Sequence, residues 1–196
     1  MAEAGTGMAS APPGALTIRL ARLRVPLGFA FGALALYLAA PTARTLAAGG
    51  AVACVGEAIR IWAAGHLNKA REVTMSGPYR WAAHPLYVGS SVMGAGLAIA
   101  AGSLLVAALV AAYLVVTLTA AIRSEEALLR QRFGDEYDRY RGAASREATG
   151  AGKGRRFSVR QALANREPRA VAGLLAAWLL LTWKATYNGT FWQPGG

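Results

Sequence analysis

Five apolar runs divide the chain, each close to the ~20 residues a helix needs to cross a bilayer. They cover 23–40, 46–64, 85–101, 104–122 and 170–187. Gly102 and Ser103 separate the third run from the fourth and predict a tight hairpin. No strand-like alternation competes with these runs. The pattern predicts an all-α, polytopic membrane helix bundle of about five transmembrane helices. It divides the chain into a disordered N-terminus (1–14), N-terminal membrane helices (15–59), a core (60–145), a basic linker (146–169) and a C-terminal helix with its tail (170–196).

Composition agrees. The 196 residues are 55% hydrophobic and only 16% charged, where a soluble domain carries about a quarter. The net charge of +11 raises nucleic acid as a partner, so the positions of the basic residues matter. With the N-terminus placed in the cytoplasm, 19 of the 21 Lys and Arg fall on the cytoplasmic side, and only Arg44 and Lys184 fall opposite. That is the positive-inside pattern. The basic balance therefore reads as topology and attraction to anionic lipid, not as a nucleic-acid surface. The single Cys54 excludes an intramolecular disulfide framework and a CxxC metal site. Residues 1–14 lack the layout of a signal peptide. The Asn188-Gly189-Thr190 sequon carries little weight alone, and the Ala-, Gly- and Arg-rich composition fits a bacterial inner membrane.

The polar chemistry gathers in two stretches on the cytoplasmic side. The first is GPYRWAAHPLYVG, Gly77 to Gly89. Gly77-Pro78 signals a turn. His84 precedes a proline and is expected to be extended. Pro85 suits the first position of a helix, so His84 is expected to cap the mouth of the third span. That helix start suits an anionic group. Tyr79, Trp81 and Tyr87 have two readings, interfacial belt aromatics or the walls of a pocket for a flat or cationic ligand. The small residues Gly89, Ser90, Gly94 and Gly96 either let the third span pack closely or leave room for a lipid tail.

The second stretch is RSEEALLRQRFGDEYDRYR, Arg123 to Arg141. Leu128, Leu129 and Phe133 form a helical stripe, which Gly134 is placed to interrupt. Glu126 and Arg130 have the spacing of a solvated helix pair. Two adjacent acids at a membrane surface repel each other, however, so Glu125 and Glu126 make more sense facing a cationic or hydroxyl-rich ligand. Glu57 lies inside the second span, where an ionisable residue is a functional candidate. Arg60, three residues on, is its expected partner.

Together the stretches SGPYRW…HPLYVG (76–89) and EEALLRQRFGDEYDRY (125–140) resemble the isoprenylcysteine carboxyl methyltransferase and phosphatidylethanolamine N-methyltransferase superfamily. Its members carry SGxY…RHPxYxG and EExxLxxxFGxEYxxY boxes in this order. The likeness covers about 60–145. It implies S-adenosylmethionine as methyl donor, held in a pocket formed by a cytoplasmic loop and helix. By resemblance Tyr79, His84, Tyr87, Glu125 and Glu126 contact the cofactor, and Lys69 with Arg71, Glu72, Val73 and Thr74 runs along it. Arg123 is the candidate that contacts the substrate, a lipophilic small molecule or lipid. No metal is implied. The usual Arg before His-Pro is Ala83 here, and Arg80 stands nearby as a substitute. Two other classes compete. A sterol-type reductase would use a nicotinamide cofactor, but it needs more spans than this chain offers. A membrane scaffold or transporter component would use no cofactor.

Overall fold

The computed structural model describes residues 28–68, 74, 76–134 and 156–192, and all of their regular structure is helical. The helices are α1 (Gly28–Leu38), α2 (Ala43–His66), α3 (Pro85–Ala100), α4 (Leu104–Phe133), α5 (Val159–Ala164) and α6 (Glu167–Tyr187), with a 3₁₀ turn at Gly77–Arg80. Three of them, α2, α4 and α6, are long and apolar enough to cross a membrane. The apolar helices α1 and α3 are shorter, and residues 23–27 of the first expected span lie outside the described residues. The chain is a membrane helix bundle.

Packing is tightest between α2 and α3, because small residues let the two backbones touch. A Cβ on Gly96 would stand 2.6 Å from the carbonyl oxygen of Gly49, and one on Gly56 would stand 2.7 Å from that of Gly89. This settles the two readings of the small residues in the third span. Gly89 and Gly96 face α2, and Gly94 abuts Leu114 of α4. Lipid offers no hydrophobic driving force between helices, so such close contact is what holds them. Gly96→Leu is therefore expected to cost about 1–3 kcal/mol through overpacking, read as a lower melting temperature in detergent.

The end of the bundle away from the polar motifs is stapled by backbone and side-chain hydrogen bonds. Gly102 takes φ +62° in the α3–α4 hairpin, a conformation glycine adopts without penalty. Thr42 and Thr45 form a reciprocal capping box at the start of α2. Ala40 N–H donates to Ala101 O at 2.8 Å, and Thr190 Oγ1 to Pro41 O at 2.7 Å. Lys184 Nζ donates to the last carbonyls of α1, Leu36 O and Tyr37 O, where a cation also meets the negative end of the helix dipole.

The structure differs from the sequence reading in three places. First, the fourth span and the stripe after it are one helix. Thirty residues extend about 45 Å at 1.5 Å per residue, more than the ~30 Å hydrocarbon layer. The segment carrying Glu125 and Glu126 thus projects from the membrane on the same rigid rod, which ends at Gly134 with φ +48°. Second, the later part of the stretch read as a linker is folded. Residues 159–164 form α5, and Glu167 opens α6. Asn165 Nδ2 donates to Ala64 O and Leu67 O, both at 2.8 Å, which ties this turn to the end of α2. Third, His84 sits at the N-cap of α3 with φ −132° and ψ 62°, but its side chain makes no capping bond. Residues 1–14, 146–155 and 193–196 lie outside the described residues.

Candidate active site

The ring of His84 turns away from α3 toward α4, one turn beyond the fourth apolar run. Its Nε2 lies 3.2 Å from Glu126 Oε1, and its Nδ1 lies 3.9 Å from Glu125 Oε2. An ionised carboxylate only accepts, so Nε2 carries the hydrogen and donates it to Glu126. The Glu125 separation is too long for a hydrogen bond, though close enough for electrostatic contact. Glu126 is 8% exposed, and Arg130, more open to solvent, approaches it at 3.9 Å. The i,i+4 pair read from the sequence is thus present, but its acid is buried and has His84 as the closer partner. Tyr87, one turn into α3, places its ring 5.7 Å from that of His84.

Two cavities meet at these residues. An open cleft of about 880 Å³ runs between α3 and α4 from His84 and Tyr87 to the hairpin, past Leu114, Leu118 and Ile122. A second, polar cavity of about 360 Å³ lies on the other side of Tyr87 and includes Glu125, Arg60, Asn165, Arg166 and Arg169. Tyr87 lines both.

Behind the polar cavity, Arg60 joins two buried acids. Its Nη2 is 2.8 Å from Glu167 Oε1, and its Nε is 3.6 Å from Glu57 Oε2. It also donates to Ser90 Oγ, which in turn donates to Leu86 O at 2.9 Å. The acids are 6% and 5% exposed, and neither Glu57 oxygen has an aligned donor among the described residues. The approach of Glu167 Oε1 is likewise an ion pair without hydrogen-bond alignment. The expected Glu57–Arg60 pair exists, but Arg60 lies nearer to Glu167.

The sequence candidates therefore separate into groups. His84, Tyr87, Glu125 and Glu126 converge. Tyr79 is buried in the 3₁₀ turn and lines neither cavity. Thr74 is buried and accepts from the Asn68 N–H at 3.3 Å. Arg123 is exposed, one turn before Glu126, and lines neither cavity. Arg80 is exposed at the end of the 3₁₀ turn. Lys69, Arg71, Glu72 and Val73 lie outside the described residues. Sequence reasoning missed Asn165, Arg166, Glu167 and Arg169. The available signal was Glu167-Pro168, an acid followed by a proline where a helix opens.

The His84–Glu126 contact thus sits in a membrane bundle beside an apolar cleft and a polar cavity. The chain belongs to the phospholipid methyltransferase family, whose model matches residues 27–136. The match reaches back through α1, further than the motif likeness, and ends before α5 and α6. The chain is also 37% identical over 83 residues to the nickel-cobalt-cadmium resistance protein NccN of Alcaligenes xylosoxydans xylosoxydans. That alignment covers 41% of this chain and 38% of the relative. No solved structure matches the chain.

Proposed function

We propose that this protein is an S-adenosylmethionine-dependent methyltransferase acting on a lipophilic acceptor, with its site on the cytoplasmic face of a bacterial inner membrane. The observation that carries the reading is the 3.2 Å contact of His84 with Glu126. It joins the two polar motifs where the cleft and the polar cavity meet. Family membership supports methyl transfer as the chemistry.

The residues suit the donor. Glu125 offers a carboxylate to ribose hydroxyls or an ammonium group, and Tyr87 offers an aromatic face to a cation or a base. His84 fixes the rotamer of Glu126, so that the second carboxylate is held ready. Tyr79, Lys69 and the backbone of Arg71, Glu72, Val73 and Thr74 complete the cofactor side in this reading. When bound, the cofactor supplies an electrophilic methyl group on a sulfonium. Leu114, Leu118 and Ile122 hold the acceptor's tail and keep water from the line of transfer. Holding two reactants in line is worth roughly 7–11 kcal/mol of barrier. An anionic acceptor such as a carboxylate has no proton to lose; Arg123, which lines neither cavity, is the candidate to orient it on the family resemblance alone. An amine or hydroxyl acceptor must shed one, and Glu125 is placed to pass it to water.

Titration calorimetry in detergent is expected to show saturable binding of S-adenosylmethionine. Labelled methyl from the same donor is expected in the lipid extract, where mass spectrometry identifies the acceptor. Binding of NADPH in place of S-adenosylmethionine would transfer the assignment to a reductase. Binding of neither would leave a scaffold.

A further inference from the structure

Three arginines, Arg60, Arg166 and Arg169, line the polar cavity beside two acids, Glu125 and Glu167. Of those acids, Glu167 is turned onto Arg60 at 2.8 Å; Glu57, which does not line the cavity, lies 3.6 Å from the same guanidinium. That cluster is self-contained. Arg166 and Arg169 also line the cavity, and among the described residues neither has an acidic group within 4.0 Å. Glu125, the remaining acid, lies 3.9 Å from His84.

The backbone that carries the two arginines is held in place, while both side chains are exposed. Asn165 anchors the turn to α2 through two 2.8 Å bonds. The Arg166 N–H donates to Leu163 O at 3.0 Å, and Arg166 O accepts from the Arg169 N–H at 3.1 Å. Arg166 takes φ 65° and ψ 26°, and is the one non-glycine residue with positive φ among the described residues. Glycine would make this turn without strain, yet an arginine stands here at the rim of a cavity. Arginine is suited to planar, paired recognition of carboxylate and phosphate. The positive end of α6 adds to the same field.

We propose that Arg166 and Arg169, in the C-terminal segment beyond the family match, form a subsite for a carboxylate or phosphate group on a ligand seated in the polar cavity beside Glu125 and Tyr87. The anion belongs either to the methyl donor or to the head group of the acceptor. The first source rests on the methyltransferase reading, and the second stands without it.

The test uses the full chain in neutral detergent, with Arg166→Gly, Arg169→Gln and the double variant. Arg166→Gly removes the guanidinium but keeps the left-handed turn, so its melting temperature is expected to match or exceed the wild type. Two probe pairs differ only in the anion or the small group that bears it. One is S-adenosylhomocysteine against its decarboxylated analogue, S-adenosyl-3-thiopropylamine, which keeps the ammonium. The other is dihexanoyl phosphatidic acid against dihexanoylglycerol. Wild-type protein is expected to prefer the anionic member of one pair by about tenfold or more, and the double variant to lose that preference. The pair that shows it identifies the source. Equal affinity within both pairs, or a preference that survives in the double variant, would overturn the proposal. Should neither adenosine compound bind the wild type, the methyltransferase reading fails, and the lipid pair alone decides the subsite.

Discussion

Glu126→Gln and His84→Ala are each expected to lower methyl-transfer kcat/KM by about 10- to 100-fold. A hydrogen bond to a charged group is worth about 1.5–3 kcal/mol, and each 1.36 kcal/mol is tenfold in rate. The two changes should not add. They act on opposite ends of one 3.2 Å contact, His84→Ala removing it and Glu126→Gln removing only the charge of its acceptor, so a double-mutant cycle is expected to show coupling of about 0.5–3 kcal/mol. His84→Ala is also expected to destabilise the protein more than Glu126→Gln does. It takes the 3.2 Å imidazole contact from a carboxylate that is 8% exposed, whereas the ion pair with Arg130 is longer, at 3.9 Å. Glutamine at 126 still accepts from the imidazole. Glu125→Gln is expected to weaken cofactor binding with little change in melting temperature, since Glu125 is partly open to solvent. If His84→Ala and Glu126→Gln both keep wild-type kcat/KM, the site lies elsewhere.

The expected helices emerged because membrane spans are set by composition and length, which are local properties of the chain. Pro85 at a helix start and Gly102 in the hairpin were legible for the same reason, since each dictates its own backbone. The meeting of His84 with Glu125 and Glu126 is not local, but sidedness made it predictable. A hairpin of two spans returns residues 84 and 125 to one face, and α4 is continuous enough to carry the acids to the required height. What the sequence concealed was lateral packing. Nothing along α2 announces that Arg60 turns to an acid 107 positions later. Asn165 is equally opaque, because its value lies in two carbonyls left open at the end of another helix. The polar cavity was invisible on the same grounds. Its walls come from α2, α3, α4 and the turn before α6, and residues 156–169 carry no run that distinguishes a docked turn from a solvated linker.

Arg60→Met is expected to destabilise the fold by about 3–5 kcal/mol, because it leaves two buried carboxylates without their counter-charge. For a chain of this size that corresponds to a fall of about 10 °C in melting temperature. Lost packing would predict a different pattern. Methionine replaces much of the aliphatic stem that lies against Gly89, so the charge is what the substitution removes. The triple variant Arg60→Met, Glu57→Gln, Glu167→Gln should therefore recover most of the loss, since no uncompensated ion remains. Glu167→Gln alone should be milder, as Arg60 keeps Glu57 at 3.6 Å and Ser90. The location of the damage is also specified. Glu167 opens α6, so the loss of Arg60 should loosen the start of that helix first. Hydrogen exchange at Arg169 and Ala170 should then rise before exchange at the α2–α3 contact does. An Arg60→Met protein that melts with the wild type would mean that the two acids do not depend on this guanidinium, and that α6 is held to the bundle by its apolar face alone.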